Sequence, residues 1–524
     1  MPAYYLEALT VALGIALLML EAFGPAHSKR HIGIFAAFGL GLIFIANFFA
    51  VGPEGASEGA AWAQWELWKL YRFDNTARFY KGFALVCTVL VVLMSVDYRS
   101  ILSRFTDQPE SEASTGEYYA LPVFACAGMM WMASANDLAA AFVALELVTI
   151  TFYILVAYLR RNIGSLEAGV KYLILGALST GFLVYGIAWI YGATGTMNLD
   201  AIGQSLVGGN QLAAFEGAVG TAAELSSVTP QTRDAVAGMV STGNPTLLFG
   251  IGLVLVALAF KIGAVPMQVW IPDVYQGAPT PTTAFLSVGS KAAGFVLLIR
   301  FLEPLLQTGS PVARQVLVML AILAGATLLV GNLAAMGQTN FKRLLAYSSI
   351  AHAGFLVLAL AAWTPMSDGD LSSTTTVGFY LATYLIMTMA TFFVLAQVRI
   401  QTGSEQIDAF NGLGKRSPML ALALTILMAG MAGVPLTVGF WGKFFVFALA
   451  VHQGLWWCVA LATIGAAAGF YYYFKLIRAM WWADAADASP AISLPTISRV
   501  VVTTLTVAVI IFGVFPKPLL WLLG

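Results

Sequence analysis

Long apolar runs separated by short polar segments dominate the chain. Because about 20 apolar residues in a helix cross the hydrocarbon core of a bilayer, each run predicts a membrane-spanning helix. The pattern predicts an all-α polytopic membrane protein with fourteen spans. They lie near residues 4–23, 32–51, 80–97, 118–134, 137–158, 166–192, 246–271, 283–303, 314–336, 344–363, 374–398, 418–453, 455–480 and 499–515.

Two of the predicted spans contain residues that break a helix. The run 418–453 would be roughly 54 Å long as one continuous helix, against a hydrocarbon core of about 30 Å. It contains Gly433 and Pro435 near its middle, and the seventh span contains Pro266. Since proline removes a backbone donor and clashes with the preceding turn, we predict that helices 7 and 12 are discontinuous.

The distribution of Lys and Arg predicts the orientation of the chain. We assign fourteen basic residues, including Lys342, to loops after odd-numbered spans, and eight, including Lys81 and Arg300, to loops after even-numbered spans or the C-terminal end. The positive-inside rule then places the odd loops in the cytoplasm and both termini outside. The polar stretch 194–244 becomes an outer loop, best explained as a linker.

Composition agrees with this topology and excludes several functions. Hydrophobic residues make up 59% of the chain and charged residues 10%, less than half of the roughly 25% usual in soluble domains. Basic and acidic residues cancel, 26 against 26, so no net field attracts nucleic acid. Cys87, Cys126 and Cys458 form no metal-binding motif, and no nucleotide-binding or hydrolase motif is present. We expect neither metal nor cofactor in this chain.

Five ionisable residues remain inside the predicted spans: Glu146, Lys171, Lys261, Lys291 and Lys443. A charge at mid-membrane costs roughly 2.5–3.5 kcal/mol, so such residues usually face the bundle interior, pair with one another or line an ion path. Discontinuous helices that bring ionisable groups to mid-membrane are typical of ion transport.

The position of each residue within its span refines this interpretation. Glu146 lies nine residues after Asp137, about 13.5 Å along a helix, which favours a functional role over a structural ion pair. Lys171 follows Glu167 by four residues, so an ordinary ion pair at a helix entrance is the alternative. His352 is similarly deep and can relay protons, although a hydrogen-bonded structural histidine explains it equally well.

Three segments resemble the antiporter-like membrane subunits of the proton-pumping NADH:quinone oxidoreductases, respiratory complex I. They are DLAAAFVALELVTITFYILVAY (137–158), FKIGAVPMQVWIPDVYQGAPTPTTAFLSVGSKAAGF (260–295) and GNLAAMGQTNFKRLLAYSSIAHAGFLVL (331–358). Within that family, PDVYQGAP points to the subunit N type. The likeness extends over nearly all of residues 75–480.

The resemblance implies an organisation for the whole chain. Three N-terminal helices (1–117) precede two inverted five-helix units (118–305, with the outer loop, and 306–482), and a C-terminal helix (483–524) follows.

The resemblance also implies roles for the buried charges. Glu146 and Lys261 match the family's paired glutamate and lysine, Lys291 the connecting lysine, and Lys443 the lysine of the second unit. Lys171 matches a lysine on the sixth helix. Many relatives carry histidine where this chain has Gln268, so we expect no proton relay by that side chain.

The implied function is proton translocation in a bacterial inner membrane, driven by quinone reduction in other subunits, with no redox catalysis by this chain alone. NADH, flavin, iron–sulfur clusters and quinone are expected in partner subunits. Expected contacts are the neighbouring antiporter-like subunit, small membrane subunits and lipids. Two alternatives are a subunit of a multi-subunit cation/proton antiporter and a membrane scaffold whose buried charges only pair.

Overall fold

A computed structural model describes residues 1–24, 29–55, 60–105, 115–206, 245–306, 311–365, 371–484 and 491–523. These residues form fourteen helical segments of the bundle. Twelve segments are long and apolar enough to cross a membrane, and Thr115–Ser134 and the pair of shorter helices Pro418–Ala432 and Val438–His452 complete the set. The fourteen segments are α1 (Tyr5–Phe23), α2 (Arg30–Phe48), α3 (Asn75–Arg104), α4 (Thr115–Ser134), α5 (Leu138–Val156), α6 (Ile163–Thr194), α7 (Pro245–Ile262 and Ile271–Gly277), α8 (Thr280–Leu306), α9 (Pro311–Met336), α10 (Phe341–Ala361), α11 (Ser373–Thr402), α12 (Pro418–Ala432 and Val438–His452), α13 (Trp456–Trp482) and α14 (Thr496–Val514). The prediction of an all-α membrane protein with about fourteen spans is confirmed.

Three helices form the centre of the bundle. The apolar segments of α8, α10 and α11 are 100%, 94% and 100% buried, whereas those of α1 and α14 are only 28% buried. A helix that is apolar all round and buried inside the protein must place any polar side chain against another helix. Lys291 and His352 lie on two of these central helices.

Helices α7 and α12 are both discontinuous, as predicted. The first half of α7 ends at Gly263, whose φ is +78°, and the first half of α12 ends at Gly433, whose φ is +90°. Glycine adopts this left-handed conformation without the steric cost of a Cβ. Each break leaves backbone carbonyls without helical partners, and the indole of Trp270 donates to one of them, that of Phe260, at 3.1 Å.

Helix α8 contains a π-helical turn that the sequence pattern did not predict. The turn covers Leu286–Ser290 and ends directly before Lys291. Such turns are rare and are frequently found at functional sites.

Two basic residues that we assigned to outer loops are buried instead. Lys81 is 0% exposed on α3 and bonds to Glu7 of α1 and to Tyr71. Arg300, near the end of α8, is 2% exposed and binds both carboxylate oxygens of Asp74 at 2.6 Å. The loop assignments were wrong because a cation near the end of a span can turn inward: α3 starts at Asn75, so Lys81 lies almost two turns inside, where Glu7 and Tyr71 hold it.

Two further assignments to loops need correction. Lys342, placed in a cytoplasmic loop, is 2% exposed and donates to the carbonyl of Ala278 at 2.7 Å and to Glu405 at 3.1 Å. The polar stretch 194–244 does not begin as a linker, because Leu199–Leu206 is a helix with a buried apolar face. Residues 207–244 lie outside the described residues.

Candidate functional site

Glu146 and Lys261 face each other through two threonines rather than in direct contact. A carboxylate oxygen of Glu146 on α5 accepts a hydrogen bond from Thr180 of α6 at 2.8 Å. The Nζ of Lys261, in the last turn before the break in α7, donates to Thr149 Oγ1 at 3.0 Å. No ion pair within 4.0 Å joins the two charged groups. The pairing that the resemblance implied is therefore not a direct ion pair in this structure, and each of the two charged groups bonds to its own threonine.

A small cavity connects these two hydrogen bonds. It measures about 10 Å³ and is lined by Thr149, Ser179, Thr180 and Lys261 among others. A cavity of this size is near the lower limit for holding one water molecule. Glu146 does not line it.

The threonine contact gives a prediction with a control on the same helix. Thr149→Val should lower proton pumping several-fold, because it removes the oxygen that accepts from Lys261 while keeping side-chain volume. Thr151 is also buried and also donates to the carbonyl four residues earlier at 2.7 Å, but it has no contact with Lys261. Proton uptake by vesicles should separate the two variants, and equal rates for Thr149→Val and Thr151→Val would contradict a role for Thr149.

Lys291 lies at the centre of the bundle and bonds to α10. Its Nζ donates to both the carbonyl oxygen and the hydroxyl of Ser349, and it lies 5.8 Å from the centre of the Tyr384 ring. Gly294, one turn later on α8, allows α7 to pack closely, since a Cβ there would lie 3.2 Å from Lys261 Cγ. The side chain of Lys261 thus lies against the helix that carries Lys291.

His352 lies on α10, one turn beyond Ser349, the residue to which Lys291 of α8 donates. It is 4% exposed, and its ring nitrogens lie 2.7 Å from the hydroxyl of Tyr380 and 3.1 Å from that of Tyr473. Tyr473 also shares a hydrogen bond with Ser348. Both nitrogens of this histidine therefore face hydroxyl groups that can donate or accept a proton.

Lys443 occupies the break in α12. Its Nζ donates to the carbonyl oxygens of Met431 at 2.9 Å and Ala432 at 2.7 Å, which the break leaves free. The neighbouring Gly442 lets the helix approach Tyr380, because a Cβ at that glycine would lie 3.2 Å from the tyrosine ring. Tyr380 therefore touches both His352 and the helix that carries Lys443.

Lys171 lies apart from this buried group. Its side chain is 42% exposed and forms ion pairs with Glu167 and Asp273, both at 2.8 Å. Asp273 also pairs with Arg343 at 2.8 Å, at the rim of an open polar pocket of about 540 Å³. This geometry matches the ion-pair alternative, and a proton-transfer role for Lys171 stays a prediction.

Gln268 lies in the short turn between the two halves of α7. Its side-chain oxygen is buried and has no hydrogen-bond partner among the described residues. An acceptor in this setting suits a water molecule, in line with the expectation that the side chain itself relays no proton.

Sequence reasoning did not single out the hydroxyl groups that connect the site. These residues lie on other helices than the groups that they contact: Thr180 bonds to Glu146, Tyr380 and Tyr473 bond to His352, and the Tyr384 ring lies near Lys291. Tyr380 and Tyr384 are one helical turn apart, and both rings lie within 6 Å of the His352 ring. Two tyrosines one helical turn apart in a largely apolar helix are the sequence feature that could have identified Tyr380 and Tyr384.

Known proteins resemble this arrangement over almost the full chain. A family model described as NADH:quinone oxidoreductase/Mrp antiporter, TM, matches residues 135–469. A protein from Heliobacterium modesticaldum named NADH-quinone oxidoreductase subunit N is 37% identical over 516 residues, covering 98% of this chain and 96% of that protein.

Solved structures share the fold. A chain of respiratory complex I from Thermus thermophilus, determined with bound aureothin, has a TM-score of 0.73 at 29% identity, with 98% of both chains covered. A chain of the Mrp complex from Dietzia sp. DQ12-45-1b has a TM-score of 0.77 at 18% identity, covering 100% of this chain and 96% of that one, and shows the fold alone. The chain therefore belongs to the NADH:quinone oxidoreductase/Mrp antiporter family of membrane subunits, as an antiporter-like complex I subunit of the subunit N type.

Proposed function

We propose that this subunit moves protons along the buried side chains that connect Glu146, Lys261, Lys291, His352 and Lys443. One observation carries the proposal: no carboxylate among the described residues lies within 4.0 Å of the three lysines, which instead donate to hydroxyl and carbonyl oxygens. If the subunit were a scaffold whose buried charges only pair, each of these lysines would form an ion pair with a carboxylate. Lysines held by neutral oxygens can release and regain a proton without breaking an ion pair.

Glu146 is proposed to control the first transfer. Thr180 binds Glu146, and Thr149 accepts from Lys261. A change in the protonation or position of Glu146 therefore alters the proton affinity of Lys261. Quinone reduction in partner subunits supplies the energy. The cofactors NADH, flavin, iron–sulfur clusters and quinone belong to those subunits, and this chain contributes only the proton path.

The proposed architecture has two inverted units, 118–305 and 306–482. In support, α7 is the fourth helix counted from α4, and α12 is the fourth counted from α9. Both are broken at a glycine, and both carry a buried lysine. Because successive spanning helices alternate in direction, helices five apart run oppositely, which is the arrangement of an inverted repeat.

The proposed orientation places both termini on the periplasmic side of a bacterial inner membrane. The excess of basic residues in the loops after odd-numbered spans supports it. Because they are buried, Lys81 and Arg300 no longer count for the outer loops, and Lys342 no longer counts for the cytoplasmic loops. Further partners proposed from the family are the neighbouring antiporter-like subunit and small membrane subunits.

The proposed function is tested by Glu146→Gln. Glutamine keeps the shape of the side chain and can still accept from Thr180, but it cannot take up a proton. We expect normal assembly with proton pumping and coupled quinone reduction both reduced several-fold. Glu167→Gln, which alters a carboxylate that is 61% exposed in its ion pair with Lys171, serves as the control. Unchanged pumping in a fully assembled Glu146→Gln complex would remove Glu146 from the path.

A further inference from the structure

A groove on the bundle surface lies between α2, α3, α11 and the C-terminal segment. It encloses about 450 Å³, which is within the range of small-molecule sites. Its walls are mainly apolar and include Phe48, Phe79, Phe83, Leu385 and Leu522. This groove shares no lining residue with the proposed proton path.

An arginine without an acidic partner lies at one end of the groove. Arg78, in the first turns of α3, donates from Nη2 to the carbonyl of Ala50 at 3.3 Å, and its Nε has no acceptor among the described residues. No described carboxylate forms an ion pair with it, since the nearby Asp74 is bound to Arg300. A guanidinium that no carboxylate neutralises is suited to a phosphate group.

A second polar side chain at the same end is incompletely bonded. Asn47 is 2% exposed, and its amide nitrogen donates to the carbonyl of Arg78 at 2.9 Å. Its side-chain oxygen has no hydrogen-bond partner among the described residues. Both residues line the groove, which is therefore polar and cationic at one end and apolar along the rest.

We propose that this groove binds a phospholipid, with the phosphate on Arg78 and an acyl chain along the phenylalanine-lined wall. The groove is mainly apolar and carries a cationic side chain, Arg78, which matches one amphiphile with an anionic head group and an acyl chain. Gly82 at its floor keeps it open, since a Cβ there would lie 3.4 Å from Asn47 and Phe44. In the proposed orientation the site faces the outer leaflet.

The test uses the assembled complex in membranes that contain phosphatidylglycerol with a photoreactive acyl chain. After irradiation, mass spectrometry should find the probe on peptides from 79–86 and 382–386. Excess unlabelled phosphatidylglycerol should reduce this labelling several-fold, whereas diacylglycerol with the same chains should not, because it lacks the phosphate.

Two variants and one control complete the experiment. Arg78→Gln should lose labelling several-fold, and so should Gly82→Leu, which fills the groove and leaves the arginine in place. Arg314→Gln, which changes an exposed arginine in the first turn of α9, should label like wild type. Equal labelling of Arg78→Gln, equal competition by diacylglycerol, or a wild-type groove that only cross-links to another subunit would each overturn the proposal.

Discussion

Replacing Lys261 with arginine is expected to lower coupled proton pumping about tenfold, while the complex still assembles. This loss is smaller than the rate contribution that positioned proton-transfer groups typically make. Arginine keeps the positive charge but effectively never deprotonates in proteins, whereas a buried lysine can. If Lys261 only neutralised Glu146, the arginine variant would work nearly as well as wild type. The hydrogen bond from Lys261 to the neutral oxygen of Thr149 favours the relay.

Lys261→Met should depress pumping to a similar extent, since it carries no proton. Proton uptake by vesicles, compared at matched complex content, measures both variants. The control is Lys415→Arg, at a lysine whose side chain is 77% exposed and paired with Asp484, which should pump normally. A Lys261→Arg complex that pumps at the wild-type rate would leave Lys261 as a structural partner only.

The second large effect concerns the stability of the N-terminal helices. Lys81→Met should lower the stability of the subunit by about 3–5 kcal/mol, because it leaves the carboxylate of Glu7 buried without its counter-charge. Glu7 is 4% exposed, and after the substitution the hydroxyl of Tyr71, at 3.2 Å, would be the only side-chain donor to it within the part of the chain that the structure describes. We expect less assembled complex on native gels and a lower temperature of subunit loss.

The double variant Glu7→Gln/Lys81→Met distinguishes a buried charge from poor packing. It removes both charges, so it should recover most of the lost stability. Lys69→Met provides the comparison, because Lys69 pairs with Glu66 at the surface with 73% of its side chain exposed, and exposed pairs contribute little. If the double variant were no more stable than Lys81→Met, the loss would come from packing rather than from the unpaired Glu7.

The helices and their breaks were predictable because local features specify them. A run of apolar residues has one stable state in a bilayer, and the glycine and proline residues near 263 and 433 disfavour a continuous helix whatever surrounds them. The burial of Lys261, Lys291 and Lys443 was also predictable, because a lysine in the middle of an apolar run has no route to water. The π-turn before Lys291 was not, because no residue type in Leu286–Ser290 marks it.

The connections between the lysines depend on tertiary packing. Tyr380 and Tyr473 meet His352 from two different helices, and no feature of the sequence places both hydroxyl groups on that histidine. Lys81 and Arg300 were misplaced for the same reason. A cation near the end of a span can reach water or turn inward, and the carboxylates that hold these two inward, Glu7 and Asp74, come from other elements.

The position of Lys443 has an electrical consequence. Carbonyl dipoles hold its ammonium group, and no described carboxylate contacts it, so a proton on Lys443 adds a full net charge in the middle of the membrane. Moving one elementary charge across the whole membrane changes its energy by about 2.3 kcal/mol per 100 mV, and a group at mid-depth experiences about half of that. In the proposed proton path, the occupancy of Lys443 by a proton should therefore follow the transmembrane voltage, so the potential would act directly on one step of that path.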